Sequence, residues 1–555
     1  MTIEADRERL SQAKLLASLS RELPITEMVT VYLSDRGDPH NHGISCAMVP
    51  SANIEKSLAL PTWDLMHGGG CPGAVQHWNG GTKTTEYCRF GNQDGIEPLV
   101  IDRGFYGMRP GYIEISEEFR LFHRLYHDRK QDHYIKIDDD GAETLVAVVE
   151  PHRVQVRLKE IRQFLAIKEM HLAIQFDCRE HSAHSLEKLG LEEGGADQRD
   201  GLLCWGLHFG DFGGVTDYRA FSRLLGKRLI PPLPKEKSGF WGYADEEPKK
   251  CVDFIIGVDE NGDEILSTSD EDQLGNNFGA NRGKPHYLTP VHFKKEVLDK
   301  YYQQSSKYSV EDGYLRCGGL WGMTMDNHHK DKVVAWLGDL GRDLPYAEQL
   351  FWRSYNVAPV GGVSETFFKR QILAQFTDSD RPEHNFKHLY QTLQESCTEK
   401  LGWALLLPLT AEDAHYFESL RVPASDEQKD FDDLVLALSK ILVDSLNEKQ
   451  LNKLIPAAEL PQIKGSISRL EKVLAARNVK DVEEHIKFLR NLQDLRSSGT
   501  AHRKGSNYRK IAEEVGVDSG TLSSVFQGIL VKGMRFLEFL NGAVRSGALV
   551  LSSDV

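Results

Sequence analysis

At Pro423 the residue pattern of this chain changes. Beyond it, nearly to the end, apolar side chains recur every three or four positions, a spacing that gives an α-helix one buried face. In DFDDLVLALSKILVDSLNEKQL (430–451) they are Leu434, Leu438, Ile441, Leu442 and Leu446, behind the acidic start that suits a helix N-terminus. A stretch containing Pro456 and Pro461 interrupts the pattern. It resumes in SISRLEKVLAARN (466–478) and in VEEHIKFLRNLQDLRSS (482–498), where Ile486, Leu489, Leu492 and Leu495 share a side. A last amphipathic segment runs from about Thr521 to Val544. The spacing predicts an all-α bundle of four or five helices over 424–555, with Leu434, Leu438, Leu442, Ile486, Leu489 and Leu492 in its core.

Upstream the pattern is mixed. Residues 1–115 are rich in Gly, His and aromatics with broken alternation, and read as an irregular β-rich region after one N-terminal helix. ISEEFRLFHRLYHDRK (115–130) spaces Phe119, Phe122, Leu125 and Tyr126 as a helix. HYIKIDDDGAETLVAVVE alternates as a hairpin about Asp140 and Gly141, followed by a helix at RLKEIRQFLAIKEM and a strand, HLAIQFD, ending in Asp177. A similar order returns later: a hairpin about Asn261 and Gly262, a helix at FKKEVLDKYY (293–302), and a strand at LWGMTMD (320–326). Each copy then reaches a strand closing on Gly-Asp, at HFGDFGG (208–214) and WLGDLGRDL (336–344). These echoes point to a diverged duplication, with α/β units at 116–240 and 250–350 and a mixed connecting region at 351–423. The expected class is α+β and multi-domain, because 555 residues exceed what one core serves.

A net charge of -15 excludes a surface that is basic all over, so nucleic-acid binding requires a local patch. One lies between Lys464 and Lys510, where twelve lysines and arginines face five acids. The opening MTIEADRERLSQAKLL lacks the apolar run of a secretory leader, and WALLLPL (403–409) is far below the roughly 20 residues of a membrane span. Eight scattered cysteines without a Cys-x-x-Cys pair fit reduced thiols, and the expected location is the cytoplasm. The chain carries no Walker A, Rossmann fingerprint or kinase set.

Polar chemistry concentrates at NLQDLRSSGTAHRKG (491–505), inside the basic patch. Arg496 falls at the C-terminal end of the third long helix. His502 follows six residues on, past Gly499, which permits the chain to leave the helix and bring the two side chains to one phosphate-sized space. Arginine offers a fixed charged fork for a phosphate, and histidine moves protons near neutrality. An all-helical bundle with Arg, five intervening residues and His at the end of its third helix resembles the HEPN superfamily. That resemblance covers about 426–550. It implies a metal-independent endoribonuclease that uses no cofactor, takes RNA as its partner and acts as a homodimer with both motifs meeting across a two-fold cleft. Arg496 and His502 are then the catalytic pair, Asn491 and Asp494 support it, and Arg490, Arg503 and Lys504 bind RNA. Ser497 stands where many active members carry an amide or acid. A nuclease on a long non-catalytic body looks like a conditional toxin or antiviral defence effector.

Other readings compete. Arg496 can cap helix carbonyls with His502 merely at the surface, leaving a HEPN-like scaffold without catalysis. YRKIAEEVGVDSGTLSSVFQGIL (508–530) has the look of a helix-turn-helix, with Ser519, Thr521 and Ser523 opening a recognition helix, which would make the protein a DNA-binding regulator. That segment from Ser519 to Gly528 carries no Lys or Arg, whereas phosphate contacts dominate DNA affinity. HGGGC (67–71) reads as a loop because no Gly-x-Ser-x-Gly elbow accompanies it. DNHHKDK (326–332) reads as a solvated turn that holds no metal, and Asp211 and Asp339 as turn formers.

Overall fold

The structure, a computed structural model, describes residues 2–65, 70–212, 217–245, 248–374, 379, 381–423, 426–499 and 521–550. The chain divides into two compact units, one of residues 1–138 with 142–248, the other of 139–141 with 249–555.

Along the first unit the strands are β1 (Met28–Arg36), β2 (His40–Pro50), β3 (Gly73–Asn79), β4 (Thr82–Cys88), β5 (Val100–Phe105), β6 (Arg109–Ile115), β7 (Tyr126–Asp128), β8 (His133–Ile137), β9 (Glu143–Glu150), β10 (Arg153–Arg157), β11 (Met170–Ser182), β12 (Gly194–Asp200), β13 (Leu203–Asp211) and β14 (Ala220–Ile230). Ten of them make one antiparallel sheet in the order β12-β13-β14-β11-β2-β1-β10-β9-β8-β7, while β3–β4 and β5–β6 are separate hairpins. Along β2 the strand period sorts side chains between two cores. Cys46 and Met48 join Phe164, Leu172 and Ile174, and Ala47 and Val49 join Ala173 and Leu229. Helix Leu158–Lys168 covers the first of these.

The boundary expected at residue 115 falls inside this sheet, where β1 and β2 pair with β10 and β11. Two N-terminal helices, Ile3–Ser11 and Ala13–Ser20, stand where one was expected, separated at Gln12 with φ 48°. Of 115–130 only Glu117–Phe122 is helical: His123 is buried, its Nε2 donating to the Glu160 carbonyl at 2.9 Å, and Arg124 turns the chain at φ 51°. β11 runs past Asp177 to Ser182, because Arg223 grips that carboxylate at 2.9 and 2.8 Å and neutralises it.

The second unit begins with small sheets: a hairpin of β15 (Asp253–Val258) and β16 (Glu264–Thr268), and two three-stranded sheets. These are built from β17 (Pro290–Lys294), β18 (Tyr308–Glu311), β19 (Tyr314–Cys317), β20 (Trp321–Thr324), β21 (Lys332–Trp336) and β22 (Asn356–Val357), in the orders β21-β17-β22 and β18-β19-β20. The expected duplication is therefore not matched in topology, since the first segment sits in a ten-stranded sheet and the second in short ones. Phe293 lies in β17, with helical turns only from Lys295 to Gln303. The second Gly-Asp lies in helix Leu337–Asp343, where a side chain on Gly341 would come within 1.9 Å of the Ser269 carbonyl oxygen.

The rest of this unit is helical: Pro382–Lys400, Gln428–Ser439, a π turn Lys440–Asp444, Glu448–Asn452, Ser466–Ala476, Val482–Gly499 and Leu522–Arg545. The six leucines and isoleucines predicted for its core are all at most 3% exposed and belong to one cluster. The long helix expected over 430–451 breaks after the π turn, and Leu446 bridges to Leu406 as an isolated β pair. The connecting region hides a helix: Pro382–Lys400 brings Phe386, Tyr390, Leu393 and Cys397 into the same core. Among the described residues no helix is long and apolar enough to cross a membrane.

Candidate functional site

Helix Val482–Gly499 presents its polar residues in three directions. At about 100° per residue, Arg490, Asn491 and Arg496 cannot share a face. Arg490 reaches Glu471 on helix Ser466–Ala476. Asn491 lines a cleft of about 290 Å3 between Val482–Gly499 and Leu522–Arg545. Arg496, in the last turn, donates from one guanidinium nitrogen to both carboxylate oxygens of Asp444, at 2.7 and 2.6 Å. Asp444 closes the π turn, and the arginine side chain keeps 30% exposure. Asp494 is exposed, its carbonyl accepting from the Ser497 hydroxyl at 3.2 Å. The helix extends to Gly499. His502, Arg503 and Lys504 lie outside the described residues, as do most of HGGGC, the end of HFGDFGG and residues 508–520 of the helix-turn-helix reading.

The cleft sets Lys487 of the basic patch beside two cations that the sequence reading missed, Lys532 and Arg535. Lys487 faces Lys532 and Arg535 across it with Glu484 as the acid, over a floor of Phe488, Leu492 and Ile529. Helical spacing of Lys487 with Asn491, and of Lys532 with Arg535, was the available signal. An anionic group lying beside an apolar surface fits that chemistry. At the cleft's end His485 stacks on Phe539, centroids 4.1 Å apart, and burial holds its imidazole below the ordinary histidine range. Ser523 of the helix-turn-helix reading donates from its amide to Asp426 at 3.0 Å and from its hydroxyl to the Pro423 carbonyl at 2.8 Å.

The turn DNHHKDK is solvated only in part: Lys330 and Asp331 are exposed, whereas Asp326 and Asn327 are buried. Asp326 is fully buried and accepts from the Ser364 amide and hydroxyl at 2.5 and 2.8 Å, and His329 lies 3.3 Å from it. Burial raises the Asp326 carboxyl, but these bonds outweigh it and hold it below the usual range. His328 meets Asp312 at 3.1 Å, and Arg370 meets the same carboxylate at 2.7 Å. Lys295 donates to the carbonyls of Asn327 and His329, at 2.5 and 2.9 Å, and burial holds its ammonium down to about 8. The cluster pins the loop after β20 against helix Glu365–Gln371. Among the described residues no group of three or more His, Cys, Asp or Glu could hold a metal. Asp211 accepts from the Leu186 amide at 3.2 Å, and Asp339, in a helix and not a turn, accepts from the Tyr287 hydroxyl at 2.7 Å.

Burial holds His123 and His292 down to about 4, against about 6.5 unfolded. As pH falls the unfolded chain therefore takes up protons first, so the stability these two neutral imidazoles carry is complete above about pH 6.5 and is lost toward pH 4. At pH 5 each is expected to cost about 2 kcal/mol. Urea midpoints taken from pH 7 to pH 5 should fall steadily, with His123→Phe flattening the first unit's share; midpoints flat over that range would contradict the assignment.

No protein-family model, curated protein or solved structure matches this chain.

Proposed function

We propose that the helical part of the second unit is a metal-independent endoribonuclease of the HEPN type, with Arg496 and His502 acting on one phosphodiester. The observation that carries this reading is the setting of Arg496. It sits in the last turn of its helix, with its side chain at the surface and its guanidinium held by a carboxylate from a π turn. Such departures from the α pattern are frequent at functional sites. An exposed ion pair contributes little to stability, so folding alone does not account for it.

In the proposed reaction the ribose 2'-hydroxyl attacks the adjacent phosphorus while His502 takes its proton. The P–O5' bond breaks, the leaving O5' takes its proton from the imidazolium that His502 has become, and one fragment ends in a 2',3'-cyclic phosphate. Arg496 neutralises the charge that gathers on the phosphorane, so RNA competes with Asp444 for the same guanidinium. Lys487, Lys532 and Arg535, with the Asn491 amide, offer further phosphate contacts in the cleft on another face of the same helix; Arg490, tied to Glu471, contributes less. Two copies would place two such pairs across a two-fold cleft, doubling the charge available to the transition state. A nuclease of this kind suits a conditional toxin or defence effector.

The test is direct. Purified full-length protein incubated with single-stranded RNA in EDTA is expected to leave cyclic-phosphate ends, and to sediment as a dimer at micromolar concentration. RNA left intact under every condition, or a preference for one duplex DNA sequence, would overturn the reading; a monomer that still cuts would remove only the shared cleft.

A further inference from the structure

The first unit carries two hairpins whose tips pair exposed rings with cations. Trp78 lies opposite Lys83 across β3–β4, the ammonium 5.8 Å from the indole. In β5–β6, Phe105 lies opposite Arg109 and Arg103 opposite Tyr112, and the rings of Phe105 and Tyr112 are 5.7 Å apart. Tyr106 is fully exposed, and Met108, Tyr87 and Trp78 are each two-thirds exposed or more. Single exposed apolar residues need no explanation, but aromatic rings gathered beside cations on a hairpin tip do.

The turn of β5–β6 adds an independent observation. Tyr106 and Gly107 take φ of 55° and 74°, and the Met108 amide donates to the Phe105 carbonyl at 2.9 Å. Both central residues of this turn take left-handed φ, which Asn-Gly adopts without penalty and a bulky aromatic does not. The chain therefore holds a strained tyrosine in full solvent, where it contributes nothing to packing. Positive φ also occurs at Gln12 and Arg124, but at Tyr106 it coincides with a fully exposed ring, which points to a use for that ring.

We infer that these tips bind single-stranded nucleic acid, bases stacking on Trp78 at one tip and on Phe105, Tyr106 and Tyr112 at the other, with phosphates meeting Lys83 and Arg109. Rings that alternate with cations across a strand pair match a polymer that alternates base and phosphate. A duplex keeps its base faces covered, and a membrane needs a continuous apolar face that Lys83, Arg103 and Arg109 interrupt. Arg103 is held by Glu114 at 2.7 Å and serves to keep its ring neighbour in place. Arg103 also lines, with Arg89 and Phe90, a cleft of about 660 Å3 that carries Glu114, Glu117 and Glu118, so the phosphates belong at the tips and not in the cleft. This site belongs to the first unit and stands whether or not the helical part cuts RNA.

The probes are fluorescent single strands of about 20 nucleotides, one of DNA and one of 2'-O-methyl RNA, which cannot be cleaved through a 2'-hydroxyl. Full-length protein is expected to bind both with an affinity that falls as salt rises, and to bind the same DNA as a duplex at least about tenfold more weakly. Tyr106→Asn and Trp78→Ala should each weaken single-strand binding about fivefold or more, at an unchanged or, for Tyr106→Asn, higher melting temperature. Arg496→Ala should leave that tip-dependent loss in place, which separates this platform from the nuclease reading. Affinity within twofold of wild type in the Trp78→Ala, Tyr106→Asn double variant would overturn the proposal. So would absence of binding by the unaltered protein, or loss in those variants of binding to anionic vesicles with oligonucleotide binding intact.

Discussion

Arg496→Ala is expected to lower RNA cleavage by roughly 10²–10³, and His502→Ala by roughly 10²–10⁴, with the protein still folded. The first range is that of one preorganised charge lost from a transition state, the second that of one proton-transfer group. Folding should survive the loss of Arg496, because its pair with Asp444 is partly exposed and worth at most about 1 kcal/mol. Arg496→Lys separates charge from geometry: it keeps the cation and loses the fork, so cleavage should fall nearly as far while RNA binding changes little. Asp444→Asn works in the opposite sense. It removes the carboxylate that competes with phosphate, and RNA affinity should rise severalfold. Single-turnover cleavage and filter binding on the four variants check this; variants that unfold would mark Arg496 as structural.

The largest stability effect is expected at a glycine. In a helix interior, alanine is favoured over glycine by about 1 kcal/mol from propensity alone. At Gly341 that gain meets a methyl carbon 1.9 Å from the Ser269 carbonyl oxygen, a backbone atom that cannot swing away. The helix must move, and Gly341→Ala should cost about 3 kcal/mol or more. Gly533, in helix Leu522–Arg545, is the control: its added carbon would meet the Phe386 ring at 3.2 Å and Leu442 at 3.4 Å, both side chains able to yield. Gly533→Ala should therefore lie within about 1 kcal/mol of wild type. Denaturant titrations of the two decide whether backbone approach, and not helix propensity, sets the requirement at Gly341.

The helical part was legible because its signal is local. Leu434, Leu438 and Leu442 announce a helix from spacing alone, and burial followed. Helix Pro382–Lys400 carries the same signal in Phe386, Tyr390, Leu393 and Cys397, yet the polar and proline-marked sequence around it drew the reading toward a connector. The first unit was harder because its pairings are distant. Nothing local says that HNHGISCAMVP will pair with MHLAIQFDCREHS, and a strand buried on both faces loses the alternation that identifies strands. The first half of the DNHHKDK turn, buried from Asp326, misled for a related reason. Charged residues read as solvated until Ser364, Asp312 and Lys295, remote in sequence, are seen to satisfy them. Of the candidate site, the position of Arg496 at a helix end was readable, whereas its partner Asp444, 52 positions away, was not.

The ten-stranded sheet imposes an order on strand pairing as the chain is made. β2 sits between β1 and β11, and Gln175 on β11 donates to Ser45 on β2, 130 positions earlier in the chain. As the nascent chain emerges, β1 and β2 can pair at once, but β2's other edge has no partner until β11 has left the ribosome, and β11's own outer edge waits for β14. Through that interval an exposed strand edge carries the apolar run from Cys46 to Val49, the kind of surface that recruits other strands. Closing so long a loop is slow. Until β11 and β14 are in place, the first unit should therefore depend on chaperones that cover this edge.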